Sequence, residues 1–419
     1  MRRLWLLLLP CLFLPDFGVM SATNVGAGEF ADYLIGPYLL LVYFGGRRQG
    51  MGDWRRHKAV LIGLLAWALL STLTINLRYG YSQPDYVLFG LVKLGKLAAY
   101  GSAGILTTRA LETDVRARLL FPWALLAICL VVSIALISFR GVPSGPRSDA
   151  PQLGFMTRNG ISVALAILYC WMTAYWLGST SSHGWCVALA VASPVLLVGF
   201  FFTDGRGGWV AAIVGVAFTA LRFGVRPAFV VPLVIGAATV LATYHTEEGF
   251  RVQVDMTLDP SRLRSESEFA SSTGIDDGSR IDIWTHEAQR IFDSPALGAG
   301  LFHRGARSRL WPTGSHNFWL QMFLELGLVG GTLMLVAFRR MWQSAGSRWA
   351  ESAGVSIPVR AALLAGFVGG MSGEYFYGGK PLLALLLAAC PALSLPFEAL
   401  RQPHLPVRTD SLRPVSGTA

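Results

Sequence analysis

Long apolar runs follow one another through almost the whole chain, and they limit its fold more than any other feature does. Many of these runs approach or exceed the roughly 18 residues at which an apolar segment becomes a candidate membrane span. Lipid offers the backbone no hydrogen-bond partners, and a helix satisfies its own. A membrane barrel would show alternating segments of about ten residues instead, and these runs do not alternate. We therefore predict an all-α fold, a polytopic bundle of transmembrane helices.

The runs predict about twelve spans. In chain order the predicted spans cover 4–20, 30–46, 59–76, 85–106, 118–138, 160–178, 184–202, 208–222, 227–244, 317–338, 358–376 and 381–399. The first run resembles a signal peptide. It lacks a convincing small-x-small cleavage site and further spans follow, so we expect this helix to be retained.

These spans divide the chain into three parts. Residues 1–149 form N-terminal helices, and residues 150–400 form a core that is interrupted by a long polar loop at 245–316. The tail over 401–419 is rich in proline, and we expect it to be disordered.

The basic residues indicate a membrane partner and a topology. The net charge of +10 does not indicate nucleic acid, because Lys and Arg cluster at the ends of the apolar runs. There they set topology and meet anionic lipid. A cytoplasmic N-terminus places most of the basic short loops inside, although the loop 139–159 opposes this assignment with three arginines. With an even number of spans both termini are cytoplasmic, and the long polar loop faces the outer side.

Cofactor-binding patterns are missing from the sequence. All five cysteines fall in apolar runs, which argues against a disulfide framework. The chain shows no metal-ligand spacing, no Walker loop and no dinucleotide fingerprint. We therefore predict neither a metal nor another cofactor.

The long polar loop contains the residues best suited to chemistry. The spacing of Trp284, Ala288 and Ile291 predicts a short amphipathic helix from Ser279 to Ser294, with Ser279 as its N-cap. This predicted helix would begin next to an arginine, which is the first of the candidate site residues.

Three residues are candidates for the reaction itself. Arg280 and Arg206 could each grip a phosphate with two parallel donors, and Arg206 lies in a glycine-rich outer turn against the positive-inside bias. His316 could accept a proton near neutral pH, and the adjacent Asn317 could cap the next helix. Simpler roles stay open, because each arginine could pair with a neighbouring aspartate and His316 could be an ordinary interfacial residue.

Charged residues at membrane depth form a second group of candidates. Lys93 and Lys96 lie three residues apart on one face of a predicted span, where they could serve a site. Alternatively, their long side chains could only extend to the membrane interface. Glu325 lies near the middle of the tenth span, where it could line a cavity or orient a neighbour. Glu374 lies near the outer end of the eleventh span, where it could serve the site or pair with Lys380.

At these residues the chain resembles the O-antigen ligase and polysaccharide polymerase superfamily. The family pattern in the outer loop is Ser-Arg with a Trp four residues on, a Pro-x-x-Gly-x-Gly stretch, and then His-Asn leading into a helix with Glu and Gly. The matching residues are Ser279, Arg280, Trp284, Pro295, Gly298, Gly300, Phe302, His316, Asn317, Leu320, Glu325, Gly327 and Gly330.

Two shorter segments extend the resemblance towards the N-terminus. In the turn that precedes the long loop, Arg206 and Gly207 match the family's Ser-Arg-Gly, but Gly205 replaces the serine. A weaker match lies before the sixth span, where Gly154-Phe155 followed by Arg158-Asn159 resembles the Gly-x-Phe…Asn segment of the family. The resemblance covers roughly residues 150–335, and the rest of the chain agrees in hydropathy alone.

The resemblance implies glycosyl transfer on the periplasmic face of a bacterial inner membrane. The donor would be a glycan on undecaprenyl pyrophosphate, and the acceptor would be a sugar hydroxyl on lipid A-core or on another lipid-linked repeat. Arg206 and Arg280 would bind the donor pyrophosphate, and His316 would take the proton from the acceptor without a metal. We assign substrate binding to Lys93, Lys96, Arg158, Asn317, Glu325 and Glu374.

Other functions fit parts of the same pattern. A transporter or flippase of lipid-linked glycan would also have about twelve spans and charged residues at membrane depth, but such proteins often show paired halves, which this sequence lacks. A peptidoglycan polymerase of related architecture would use the same class of donor, but its usual outer-loop carboxylate has no clear counterpart. The choice between ligase and polymerase stays open, as does the oligomeric state.

Overall fold

A computed structural model describes most of the chain. The ranges it describes are 3–13, 30–45, 54–74, 84–138, 158–178, 183–203, 205–224, 227–248, 251, 254–255, 280–301, 317–347, 350–351, 354–371 and 380–394. Every regular element within these ranges is a helix, which confirms the predicted all-α class. The thirteen helices described there are α1 (Leu4–Cys11), α2 (Phe30–Gly45), α3 (Trp54–Leu73), α4 (Pro84–Thr113), α5 (Val115–Ser138), α6 (Arg158–Gly178), α7 (His183–Phe201), α8 (Arg206–Phe223), α9 (Pro227–Thr246), α10 (Arg280–Asp293), α11 (Phe318–Ala345), α12 (Ser356–Gly370) and α13 (Lys380–Leu393).

Three of the described helical segments have the length and composition of membrane spans, and seven others are apolar but shorter. The three are Val115–Ser138, Gly160–Gly178 and Phe318–Ala345. Every predicted span contains a helix, and the chain is a multi-pass membrane protein. The total of about twelve spans stays a prediction.

Helix α6 lies at the centre of the bundle. It packs against α8, α12 and α13, and 89% of its apolar window is buried inside the protein. A helix that is apolar on every side is expected in such a position, because no face of it has to meet water. Around this centre, α7 packs against α5 and α9, and α3 packs against α4 and α11. Candidate residues at the ends of α6 and its neighbours are therefore held by well-packed helices.

The predicted loop between the fourth and fifth spans is wrong in its extent. We expected a loop over 107–117, but α4 continues to Thr113 and α5 begins at Val115, so one residue separates them. The prediction took the segment between two apolar runs, with its basic residues, as the loop. Helices can continue beyond the apolar region, and the arginines there lie within helical turns.

Asp114 is the single residue between α4 and α5. Its Oδ1 accepts hydrogen bonds from the backbone N–H groups of Arg116 at 2.9 Å and Ala117 at 3.2 Å, as an N-cap does. Its Oδ2 accepts a hydrogen bond from Nε of Arg3 at 2.6 Å, which ties α1 to this junction. Burial raises the pKa of Asp114, but the hydrogen bonds outweigh burial and the net pKa is lowered. The carboxylate therefore stays ionised and its charge is offset.

Candidate functional site

Three helices that begin at candidate residues start at the same end of the bundle. Helix α6 begins at Arg158, α8 begins at Arg206, and α11 follows Asn317. We call these three helix starts together the site end. The packing contacts near each start show that they are neighbours.

The starts of α6 and α8 are joined by a direct hydrogen bond. Ser162, one turn into α6, donates from its Oγ to the carbonyl oxygen of Gly205 at 2.9 Å, immediately before Arg206. Gly208 lies against Ser162 so closely that a Cβ at Gly208 would overlap the serine side chain. A small residue at position 208 therefore lets the two backbones approach, and it places Arg206 level with Ser162, about one helical turn from Arg158.

The end of α12 connects this pair to the start of α11. A Cβ at Gly369 would lie 2.6 Å from Cγ1 of Val163, so α12 ends beside the first turns of α6. Nε1 of Trp319, in the first turn of α11, donates to the carbonyl oxygen of Phe367 at 3.0 Å. The two rings also pack together with centroids 4.8 Å apart. Helix α12 thus holds the start of α11 at the site end.

Asn317 caps α11, as its position predicts. Its Oδ1 accepts hydrogen bonds from the backbone N–H groups of Trp319 at 3.0 Å and Leu320 at 3.2 Å. This cap fixes the residue that directly follows His316, which itself lies outside the described residues, as does Glu374. The cap also means that the Asn317 side chain first serves the helix, while its assignment to substrate binding stays a prediction.

A row of polar side chains leads from Asn317 into the membrane along α11. Gln321 and Glu325 follow at intervals of four residues, which places all three on one helix face. Gln321 is 1% exposed and Glu325 is 2% exposed, and Nε2 of the glutamine donates to Oε1 of the glutamate. Sequence reasoning selected Glu325 but missed Gln321, although its spacing was the available signal. The Glu325 carboxylate thus contacts Gln321, and its assignment to substrate binding stays a prediction.

Helix α11 is interrupted at membrane depth. Gly327 has φ 66° and ψ −175°, which breaks the helical backbone about 14 Å beyond Phe318. The predicted span was uninterrupted, so this break corrects it. An open backbone in the membrane interior requires partners from the protein itself, because lipid supplies none.

Those partners come from residues 294–301, which fit against the break and which we call the clasp. In an unbroken helix the Leu328 N–H would bond the Leu324 carbonyl. Here it donates to the carbonyl oxygen of Pro295 at 2.7 Å. The Leu324 carbonyl accepts instead from Ala299 N–H at 2.8 Å, and the Glu325 carbonyl accepts from Gly300 N–H at 2.8 Å. The clasp therefore exchanges hydrogen bonds with α11 as an extra strand of backbone would.

Glycines make this close approach feasible. Gly298 has φ 70° and Gly327 has φ 66°, both in the region that favours glycine. A Cβ at Gly298 would lie 2.5 Å from the carbonyl oxygen of Glu325, and a Cβ at Gly327 would run into the carbonyl of Ala296. The two glycines thus face each other across the contact, and neither position has room for a side chain.

Helix α3 supplies further hydrogen-bond donors to the carbonyl groups at the break. Nε1 of Trp67 donates to the carbonyl oxygen of Leu326 at 2.9 Å. Oγ of Ser71 lies 2.5 Å from the Leu297 carbonyl oxygen and 3.0 Å from that of Glu325, so its single proton can serve either. Three elements that are far apart in sequence therefore meet at one point inside the membrane protein.

Helix α10 confirms the predicted amphipathic helix in the long loop. It runs from Arg280 to Asp293, ends directly at the clasp, and packs against α11. Glu287 is 5% exposed and lies about two helical turns after the first residue of α10. Sequence reasoning missed this buried carboxyl group, and its spacing from Arg280 was the signal that could have revealed it.

The two lysines of α4 follow the point where this helix meets the clasp. Gly90 packs beside Thr72, and a Cβ on it would lie 3.0 Å from the carbonyl oxygen of Leu301 in the clasp. Lys93 follows Gly90 by three residues, and both Lys93 and Lys96 are half-buried. Their role in substrate binding stays a prediction.

A large apolar groove begins at the site end. It encloses a cavity of about 210 Å³ between α3, α4, α11 and α13, and we call it the α11 groove. The lining residues of α11 run from Phe318 to Met341, on both sides of the break at Gly327, so the groove follows most of this helix. Its other walls include Leu64, Leu97 and Leu386. The groove therefore runs from the polar start of α11 along an apolar surface that would suit a lipid chain.

The fold and the site define a class of protein: a multi-pass membrane protein with polar helix starts gathered at one end of the bundle, beside an apolar groove. Residues 191–335 match the family model described as O-antigen ligase. The matched segment contains Arg206, Arg280, the clasp and the first part of α11. Over these residues the chain is similar to the O-antigen ligase family, which confirms the predicted resemblance and implies a ligase- or glycosyltransferase-type membrane enzyme. No match was found among the curated proteins.

Proposed function

We propose that this protein transfers a glycan from undecaprenyl pyrophosphate to a sugar hydroxyl on the periplasmic face of a bacterial inner membrane. The observation that carries the proposal is the meeting of the starts of α6, α8 and α11 beside the α11 groove. In the proposed orientation both termini are cytoplasmic and the site end faces the periplasm. A lipid-linked donor needs such a junction, because its charged group and its tail require opposite surroundings.

The helix starts suit the pyrophosphate of the donor. The first N–H groups of a helix and its dipole favour an anion, and an arginine at the same position adds a charge that can bind phosphate with two donors. Arg158 and Arg206 occupy such first positions at the site end, and Arg280 begins α10, which packs against α11. These groups would stabilise the negative charge that develops on the leaving pyrophosphate.

The transfer balances without further reactants. The acceptor hydroxyl loses its proton to His316 as its oxygen attacks the anomeric carbon of the donor sugar. The bond from that carbon to the pyrophosphate oxygen breaks, and undecaprenyl pyrophosphate leaves as an anion. The acceptor keeps the new glycosidic bond, and the attack inverts the anomeric centre. Asn317 would hold the backbone of the preceding histidine by capping α11.

The α11 groove would hold the polyprenyl tail of the donor. Its lining is almost wholly apolar, and it begins at Phe318 and Trp319 beside the cap residue Asn317. It follows most of α11, a helix that is long enough to cross the roughly 30 Å hydrocarbon core. A tail in the groove would therefore place the attached pyrophosphate at the site end.

Filling the groove should impair use of the long donor. Gly101 lines the groove, and a Cβ added there meets no atom within 4 Å, so Gly101→Ala should leave activity unchanged. Gly101→Trp places an indole in the path of the tail, and we expect it to raise KM for the undecaprenyl donor about tenfold, a loss of roughly 1.4 kcal/mol. A short-chain prenyl donor should be affected much less. Equal effects on both donors would contradict tail binding in this groove.

Reconstitution into liposomes tests the function as a whole. The purified protein is supplied with a lipid-linked glycan and with either lipid A-core or a second lipid-linked repeat, and both substrates are present on one face. We expect a new glycosidic bond, with lipid A-core as acceptor for a ligase and the lipid-linked repeat as acceptor for a polymerase. Movement of the intact donor across the bilayer without bond formation would support the transporter and defeat the proposal.

A further inference from the structure

A second cavity, of about 230 Å³, lies at the end of the bundle opposite the site end. Its walls are the beginning of α5, the second half of α6 and the end of α13. We propose that this cavity binds the phosphate of an anionic phospholipid headgroup. The proposal concerns a lipid that stays intact and is independent of the glycosyl transfer proposed above.

Two residues that line this cavity carry buried N–H donors. Within the described residues, neither Nε1 of Trp171 nor Nε of Arg118 has a hydrogen-bond partner, and both atoms are buried. Trp171 is 1% exposed. Both nitrogens can only donate, so the missing partner must be an acceptor, and a buried donor without one is costly. The charge of Arg118 selects an anionic acceptor over a neutral one.

The indole is held in one orientation by its neighbours. The ring of Trp171 stacks on Tyr175 with centroids 5.0 Å apart and an interplanar angle of 14°. Phe121 packs against the same ring edge-to-face at 6.4 Å. These contacts fix the indole ring of a residue that lines the cavity, and a fixed donor loses little entropy when a ligand binds.

The rim of the cavity indicates that the anion belongs to a lipid. Val115 is 62% exposed and Leu119 is 63% exposed, and both line the cavity on an apolar helix that is long enough to span a membrane. Acyl chains could therefore lie along this face while the headgroup enters sideways. The cavity also has far more room than one water molecule needs. Basic pockets between membrane helices bind anionic headgroups in this way.

The nearby carboxylate does not repel such an anion. Asp114 precedes the helical turn that holds Arg118, and its charge is offset by Arg3 and by two backbone N–H groups. The Arg3 contact leaves the Arg118 guanidinium available for an external anion.

The experiment compares lipids and variants in nanodiscs. The full-length protein is prepared in nanodiscs of phosphatidylcholine alone, in nanodiscs that also contain phosphatidylglycerol, and in phosphatidylcholine with inorganic phosphate added. Native mass spectrometry counts the lipid that is retained, and thermal unfolding measures stabilisation, which binding to the folded state must produce. We expect retention and a higher Tm with phosphatidylglycerol.

Two variants and one matched control assign the effect to the cavity. Arg118→Met should weaken phosphatidylglycerol retention about tenfold or more, as loss of a charge-assisted hydrogen bond predicts. Trp171→Phe keeps the ring and removes the donor, so it should weaken retention about fivefold. Arg116→Met removes an exposed charge two residues away that does not line the cavity, and it should change nothing.

Several results would overturn the proposal. Equal retention of phosphatidylcholine by the wild-type protein would remove the need for an anion, and equal stabilisation by inorganic phosphate would assign the cavity to a free ion. If Arg116→Met lowers retention as much as Arg118→Met, the effect is a general surface charge. Because Trp171→Phe is conservative, its unchanged retention in a folded protein would also defeat the proposal.

Discussion

His316→Ala is expected to lower the rate of glycosyl transfer by about 10²–10⁴-fold, the usual contribution of a general base. The acceptor hydroxyl is a weak nucleophile until its proton is removed, and alanine cannot remove it. The neighbouring cap of Asn317 on α11 does not involve the position 316 side chain, so the variant should still insert and fold. The measurement is product formation in the liposome assay, together with Tm.

Control variants and a second catalytic variant accompany this prediction. His245→Ala removes an exposed histidine in the last turn of α9 and should leave the rate unchanged. Arg280→Gln should lower kcat more than it raises KM, because leaving-group charge grows mainly in the transition state. Arg290→Gln removes a charge from the other end of the same helix and serves as its control. Normal rates in both His316→Ala and Arg280→Gln would eliminate the catalytic assignment.

Gly327→Ala is expected to destabilise the protein by roughly 3 kcal/mol or more, because its backbone conformation is accessible almost only to glycine. The added Cβ would also run into the carbonyl of Ala296 in the clasp. Either the clasp leaves α11 or the helix reforms, and in both cases buried carbonyl groups lose their partners. We expect a large fall in Tm and loss of transfer activity.

Gly36→Ala provides the control for the same chemical change. Gly36 lies within α2, and an added Cβ there meets no atom within 4 Å. Alanine favours a helix over glycine by about 1 kcal/mol, so this variant should be neutral or slightly more stable. Gly298→Ala should behave like Gly327→Ala, because its Cβ would lie 2.5 Å from the Glu325 carbonyl oxygen. Unchanged stability in Gly298→Ala and Gly327→Ala would show that the clasp contact is absent.

Local patterns in the sequence predicted the helices well. Apolar runs depend on residues that are near one another, and each predicted span contains a helix. The spacing around Trp284 predicted α10, and the position of Asn317 predicted a helix cap, because both features are decided within a few residues. The extent of α4 was missed, since the basic residues that set topology can lie within helical turns that extend past the apolar region.

The break in α11 could not be predicted in the same way. Gly327 is one of several glycines in that helix, and nothing nearby in sequence distinguishes it. Its positive φ is stable because the clasp and Trp67 supply hydrogen bonds from distant parts of the chain. The site end depends in the same way on contacts across helices, such as that between Ser162 and Gly205. Motifs indicated which residues to examine, while tertiary packing decided which of them meet.

The interrupted helix has a consequence for biogenesis. All the donors that serve its open carbonyl groups, in α3 and in the clasp, precede α11 in the chain and are therefore synthesised first. When α11 leaves the ribosome, the hydrogen-bond donors for its open carbonyl groups have thus already been synthesised. Moved to the front of another protein, the same segment would enter the translocon with unsatisfied carbonyl groups. The order of elements along the chain is therefore also an order of assembly.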